Sequence, residues 1–138
     1  MKKNRIGAMD IALLAASAVF LIGLLTIFQP CGPKEDGGWM TCHWAGQALR
    51  GIAAAMVVLA ALRLFVSQGA QRGLDLSLAV LSVLSACVPG RLIGMCMMHT
   101  MRCHRLMTPF ALVMAALTIL LAGIDLLQGW KKGKDHEV

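Results

Sequence analysis

Two short segments of this chain carry the same thioether, thiol and imidazole side chains in the same order. They are Met40-Thr41-Cys42-His43 and, 61 positions later, Met101-Arg102-Cys103-His104. The whole chain has four histidines and five cysteines, so two copies of Met-x-Cys-His are hard to ascribe to chance. Cys31, Cys96, His99, Met95, Met97, Met98 and Met107 lie close by in the sequence. If each motif begins a helix, its Met and His stand three apart on one face, and its Cys points about 100° away from the His. Imidazole with thioether or thiolate is a ligand set for Cu(I), and His or Met can be an axial ligand of haem. Met40, His43, His99, Met101 and His104 are therefore the candidate ligands for copper or haem, with His43 and His104 able to share one metal or one haem. The spacing is not the C-x-x-C-H of covalent haem attachment, nor the paired C-x-x-C of a structural zinc site.

The cysteines admit two further readings. Cys31 with Cys42, and Cys96 with Cys103, place an even number of thiols in each of two hydrophilic loops. One disulfide per loop would pin two helix ends and contribute roughly 2–3 kcal/mol each. Such a chain would be a purely structural subunit with stapled loops. The other reading is redox catalysis, because four helices with two outer cysteine pairs resemble in layout the membrane thiol oxidases of the DsbB and VKOR type. Those enzymes use a C-x-x-C pair, whose thiol has a tuned pKa; here Cys31 and Cys42 are eleven apart. Cys87 has no repeat partner and reads as apolar filler, and His136 as a solvated tail residue.

The elements that must position these side chains are apolar. Hydrophobic residues make up 58% of the 138-residue chain and charged residues 14%, against roughly 45–50% and about 25% in soluble domains; mean hydropathy is +0.72. The length predicts a single domain over 1–138, an integral membrane one. Four stretches approach the roughly 20 apolar residues that a span needs: Ala8 to Phe28, Gly46 to Val66, Leu74 to Gly94 (interrupted by Pro89 and Gly90), and Leu106 to Leu127. The first is longer than a signal-peptide core and lacks a small-residue cleavage site, so it reads as a retained anchor. The formal charge of +6 comes from basic clusters at the chain ends, Lys2, Lys3 and Arg5 at one and Lys131, Lys132 and Lys134 at the other. No aromatic residues interleave with them, so nucleic acid is not the indicated partner; the lipid bilayer is. The clusters favour both termini in the cytoplasm of a multi-pass protein of the cytoplasmic membrane. Residues 29–45 and 95–105 then face outward.

An internal repeat organises these spans. Asp10, Ser17 and Cys31 recur 65 positions later as Asp75, Ser82 and Cys96, and the Met-x-Cys-His motifs come after them. The predicted fold is all-α, with four transmembrane helices as two helical hairpins, 8–66 and 74–127, related by a pseudo-twofold axis along the membrane normal. Asp10, Arg63, Asp75 and Asp125 fall near the cytoplasmic ends of the spans. They read either as headgroup-level charges or as a contact layer, with Arg63 paired to Asp75 or Asp125 and Asp10 left for another subunit. Trp130, beside Lys131 and Lys132, reads as an interface anchor.

The segments Cys31…Met40-Thr41-Cys42-His43-Trp44-Ala45-Gly46-Gln47-Ala48 and Pro89-Gly90-Arg91…Cys96-Met97-Met98-His99-Thr100 resemble a family of small four-helix bacterial membrane proteins, domain of unknown function 4418. The resemblance covers most of the chain, from the first span to the fourth. It implies an accessory role beside ABC transporters of the MacB/FtsX-like type, with an ABC permease as partner, in export or in handling a small ligand. It does not identify the ligand, and it brings no enzymatic activity.

Overall fold

A computed structural model of the protein describes residues 7–29, 32–94 and 103–134. They form helices α1 (Ala8–Thr26), α2 (Thr41–Arg63), α3 (Gln68–Cys87) and α4 (Thr108–Lys134), with a π-helical turn, Cys103–Met107, leading into α4. The first helix starts where its orphan amides find an acceptor: Asp10, three residues in, takes the Gly7 amide on Oδ2 at 2.8 Å. A carboxylate in the first turn also suits the positive end of the helix dipole. Met40, extended, caps α2, and its carbonyl accepts the His43 amide at 2.9 Å. That helix begins five residues before the predicted Gly46, since Thr41, Cys42 and His43 continue it without a break.

The helices pack in chain order, α1 on α2, α2 on α3 and α3 on α4, and α4 closes the bundle against α1. Buried positions recur every seven residues: Asp10, Ser17 and Leu24 on α1; Arg63, Met56, Leu49 and Cys42 on α2; Asp75 and Ser82 on α3. A period of seven is that of helices packed side by side at a small crossing angle. Small residues on the inner faces, including Ala45, Ala53 and Ala60 of α2 and Ala111 and Ala122 of α4, let the backbones approach closely. Gly23 is a close approach of α1 to the Phe110 side chain of α4. A Cβ there would come within 2.5 Å of Phe110, whose ring stacks on Phe28 at 3.9 Å.

Three of the four helices are long and apolar enough to cross a membrane: α1, α2, and the stretch His104–Lys131 that contains most of α4. The expected set of four transmembrane helices, two equivalent spanning hairpins about one axis, is therefore corrected to three spanning helices and one that does not meet the requirement. The exception is α3, and its composition explains it. Its first turns are Gln68-Gly69-Ala70-Gln71-Arg72-Gly73, and Asp75, Ser77, Ser82 and Ser85 interrupt the apolar remainder of the helix. It also stops early. Pro89 has no amide to offer, and Gly90 turns the chain with φ +91°, so Leu92 and Ile93 fold back to donate to the carbonyls of Cys87 and Val88. The apolar stretch from Leu74 to Val88 rises roughly 22 Å at helical pitch, short of a hydrocarbon core of about 30 Å.

The outward faces carry large apolar side chains, among them Ile11, Val19 and Ile22 of α1, Val58 and Leu62 of α2, and Val113, Leu120 and Leu127 of α4. A bilayer covers such faces at no cost, whereas water would not. The protein is a membrane protein.

Candidate functional site

The polar side chains gather at the two ends of the bundle. At one end a single guanidinium holds all four helices. Arg63, in the last turn of α2, is 2% exposed. Its Nε lies 3.1 Å from Oδ1 of Asp10 on α1, its Nη1 lies 2.6 Å from Oδ1 of Asp75 on α3, and its Nη2 contacts Oδ2 of Asp125 on α4. A planar fork of donors suits this role, because it can serve three acceptors in fixed directions. Asp10 is thus held within the chain rather than left for another subunit. Its Oδ1 forms an ion pair with Arg63, and its Oδ2 accepts the Gly7 amide.

The same end fastens α3 in two further ways. Gln71 donates to the Arg63 carbonyl at 3.2 Å, and the Arg72 guanidinium donates to the Gly129 carbonyl near the end of α4 at 2.8 Å. Three carboxylates share one cation here. Burial pushes the Asp75 carboxyl up to about 6; the Arg63 guanidinium pulls it back, and the Asp10 carboxylate adds to the rise. Ser17 and Ser82, each seven residues beyond its aspartate, are buried and donate to the carbonyls of Leu13 and Leu78 in their own helices, each at 2.8 Å. Thr118 does the same to Met114 on α4. These hydroxyls satisfy themselves locally, a common solution for Ser and Thr inside helices.

Because α2 and α4 reach this hub through Arg63 and Asp125 in their later turns, both begin at the opposite end. Met40, Cys42 and His43 occupy the cap and first turn of α2, and His104 lies in the turn before α4. Cys42 is buried, while Met40 and His104 are partly buried and His43 is half-buried. The Cys103 backbone belongs to the same π-helical turn as His104. The other expected members, Cys31, Cys96, His99 and Met101, lie outside the described residues, so no pairing or coordination involving them is described. Among the described residues no three His, Cys, Asp or Glu side chains are grouped to hold a metal ion.

Two residues that the motif reading passed over stand beside His43. The Trp39 indole lies against its imidazole, with ring centroids 4.1 Å apart and planes tilted by 31°. Trp44 meets the same imidazole edge-on at 5.9 Å. Trp39 and His43 are four apart across a helix start, and Trp44 comes directly after His43; the first of these spacings straddles the boundary and carries no helical-periodicity signal.

The model of the family described as "Domain of unknown function (DUF4418)" matches residues 13–128. That interval takes in most of α1, the whole of α2 and α3, and α4 up to Gln128, hence Arg63, Asp75, Asp125 and both Met-x-Cys-His motifs. No curated protein and no solved structure matches the chain.

Proposed function

The chain belongs to the DUF4418 family, and on that premise we propose that it is a small membrane subunit whose extracytoplasmic end binds a soft ligand, copper or haem, in the service of an ABC-type transport system. One observation carries the reading. The charge hub fixes α2 and α4 so that both begin at the same end of the bundle, and those two beginnings hold Met40, Cys42, His43 and His104. Soft sulfur ligands with imidazole are what Cu(I) prefers, and imidazole or thioether suits haem iron. The ligand set draws on Met40 and on the second loop as well as on the histidines.

The orientation is argued from charge. Basic residues precede α1 and end α4 in the sequence, and the start of α1 and the later turns of α4 belong to the hub end, so that end is assigned to the cytoplasm and the motif end to the outside. The transporter partner is what the family likeness suggests; an ABC permease is the expected neighbour. Thiol-disulfide catalysis is less favoured by the geometry, since a thiol must be reachable to attack a disulfide and Cys42 is fully buried.

Protein purified in detergent and loaded anaerobically with Cu(I), or separately with haem, tests the reading. Retention of copper after chelating competition, or a haem absorption band that persists through gel filtration, is the expected result. Failure to retain either would overturn it. Alkylation of the five cysteines before and after reduction, read by intact mass, separates the alternatives at the same time. One thiol rising to five on reduction would make the outer cysteines staples, and five at the outset would leave them available as ligands.

A further inference from the structure

The aromatic residues around His43 narrow the choice of ligand, given the soft-ligand reading above. A tryptophan at a membrane surface ordinarily serves as an anchor, its ring lying among headgroups. Trp39 and Trp44 do something more specific, because both rings are arranged on one imidazole. Both side chains stay exposed, Trp39 at 52% and Trp44 at 61%. Met40 is the cap residue of α2 and His43 is three residues on, so both belong to the first turn of one helix. An ion held between the His43 imidazole and the Met40 thioether would therefore lie beside an indole.

We propose that Trp39 and Trp44 form an aromatic wall for a monovalent soft cation, Cu(I), at the α2 side of the shared site, where His43 and Met40 are its ligands. The chemistry favours this ion over the alternatives. Cu(I) takes few ligands and prefers sulfur and imidazole, so it leaves one side of its coordination sphere uncovered. The negative face of an indole stabilises a partly desolvated cation there, more strongly for Trp than for any other side chain. A divalent ion such as Zn(II) fills four positions with N, S or O ligands and gains little from a π face.

Full-length protein in detergent, in a Trp130→Phe background, provides the test, with Ag(I) as the air-stable probe for Cu(I). Indole emission and metal retained after competition are read together. Ag(I) is expected to quench emission in step with binding, and Zn(II) to leave it unchanged. Trp39→Leu should weaken Ag(I) binding about 3- to 10-fold with stoichiometry intact. Trp39→Phe, which keeps a weaker π face, should fall between the two. Far-UV circular dichroism and gel filtration confirm that each variant is folded. Binding in Trp39→Leu and Trp44→Leu as tight as in the parent would overturn the aromatic wall while leaving soft-ligand binding standing. No retention of Ag(I) or Cu(I) by the parent would remove both.

Discussion

The two ends of the bundle handle polar groups in opposite ways. At the hub end one buried cation meets three carboxylates from three other helices, and each of these ion pairs lies inside the chain. At the motif end the imidazole of His43 is not enclosed, and its aromatic neighbours stay exposed. An ion cluster built round a buried cation holds helices in place, because breaking it strands that charge in a medium that solvates it poorly. A half-open cluster of soft donors at helix starts can be approached by a ligand from outside. The difference teaches that the conspicuous charges of this chain serve architecture and that its less conspicuous sulfur and imidazole groups are the ones placed to serve chemistry.

Substitutions sharpen that contrast. The largest effect on stability is expected from Arg63→Met, which leaves Asp10, Asp75 and Asp125 without their shared partner. Loss of a buried partner typically costs roughly 3–5 kcal/mol, seen as a collapse of the thermal transition in detergent. His43→Ala should leave that transition nearly in place while abolishing ligand binding. If instead Arg63→Met melted like the parent and His43→Ala unfolded the protein, the roles assigned to the two ends would be reversed.

Gly23→Val tests the packing between the ends. The added side chain meets Phe110, and through it the stack on Phe28, so an overpacking loss of about 1–3 kcal/mol is expected. A variant as stable as the parent would mean that the rings move aside freely.

The hub should also respond to pH. The Asp75 carboxyl lies at about 6, raised above its ordinary value of 3.8. Between those values the folded chain holds a proton that the unfolded chain does not. Stability should therefore rise as pH falls from 7 through 6 toward about 4, and decline as pH rises through 6. Asp75→Asn should remove this component, so the difference between parent and variant is the quantity to measure across the range. A difference independent of pH would contradict it. The smallest effect is expected from Ser17→Ala. Its hydroxyl bonds to the Leu13 carbonyl of its own helix, so the change should stay within about 1 kcal/mol. A larger loss would show the hydroxyl acting between helices.

Much of this arrangement was legible in the residues. The first expected span begins at Ala8, where α1 begins, and the pairs that the repeat singles out, Asp10 with Asp75 and Ser17 with Ser82, are all buried positions. The parts that were not legible have physical reasons. The reach of α3 depends on a Pro-Gly turn and on polar residues at its start, and a run from Leu74 to Gly94 counts apolar letters without weighing that turn. The partner of Asp10 could not be read from spacing, because Arg63 lies 53 positions away and the choice among carboxylates is made by how four helix ends meet. The stacking of Trp39 on His43 spans a helix boundary, where a periodicity of 3.6 does not yet apply.

The most direct test of the motif end is a double-mutant cycle on ligand affinity. Cu(I) binding would be measured by chelator competition for the parent, His43→Ala, His104→Ala and the double variant. A site shared between the starts of α2 and α4 is lost in either single variant, with no further loss in the double. Independent, additive losses would mean that the two Met-x-Cys-His segments do not build one site, and the central claim would fall.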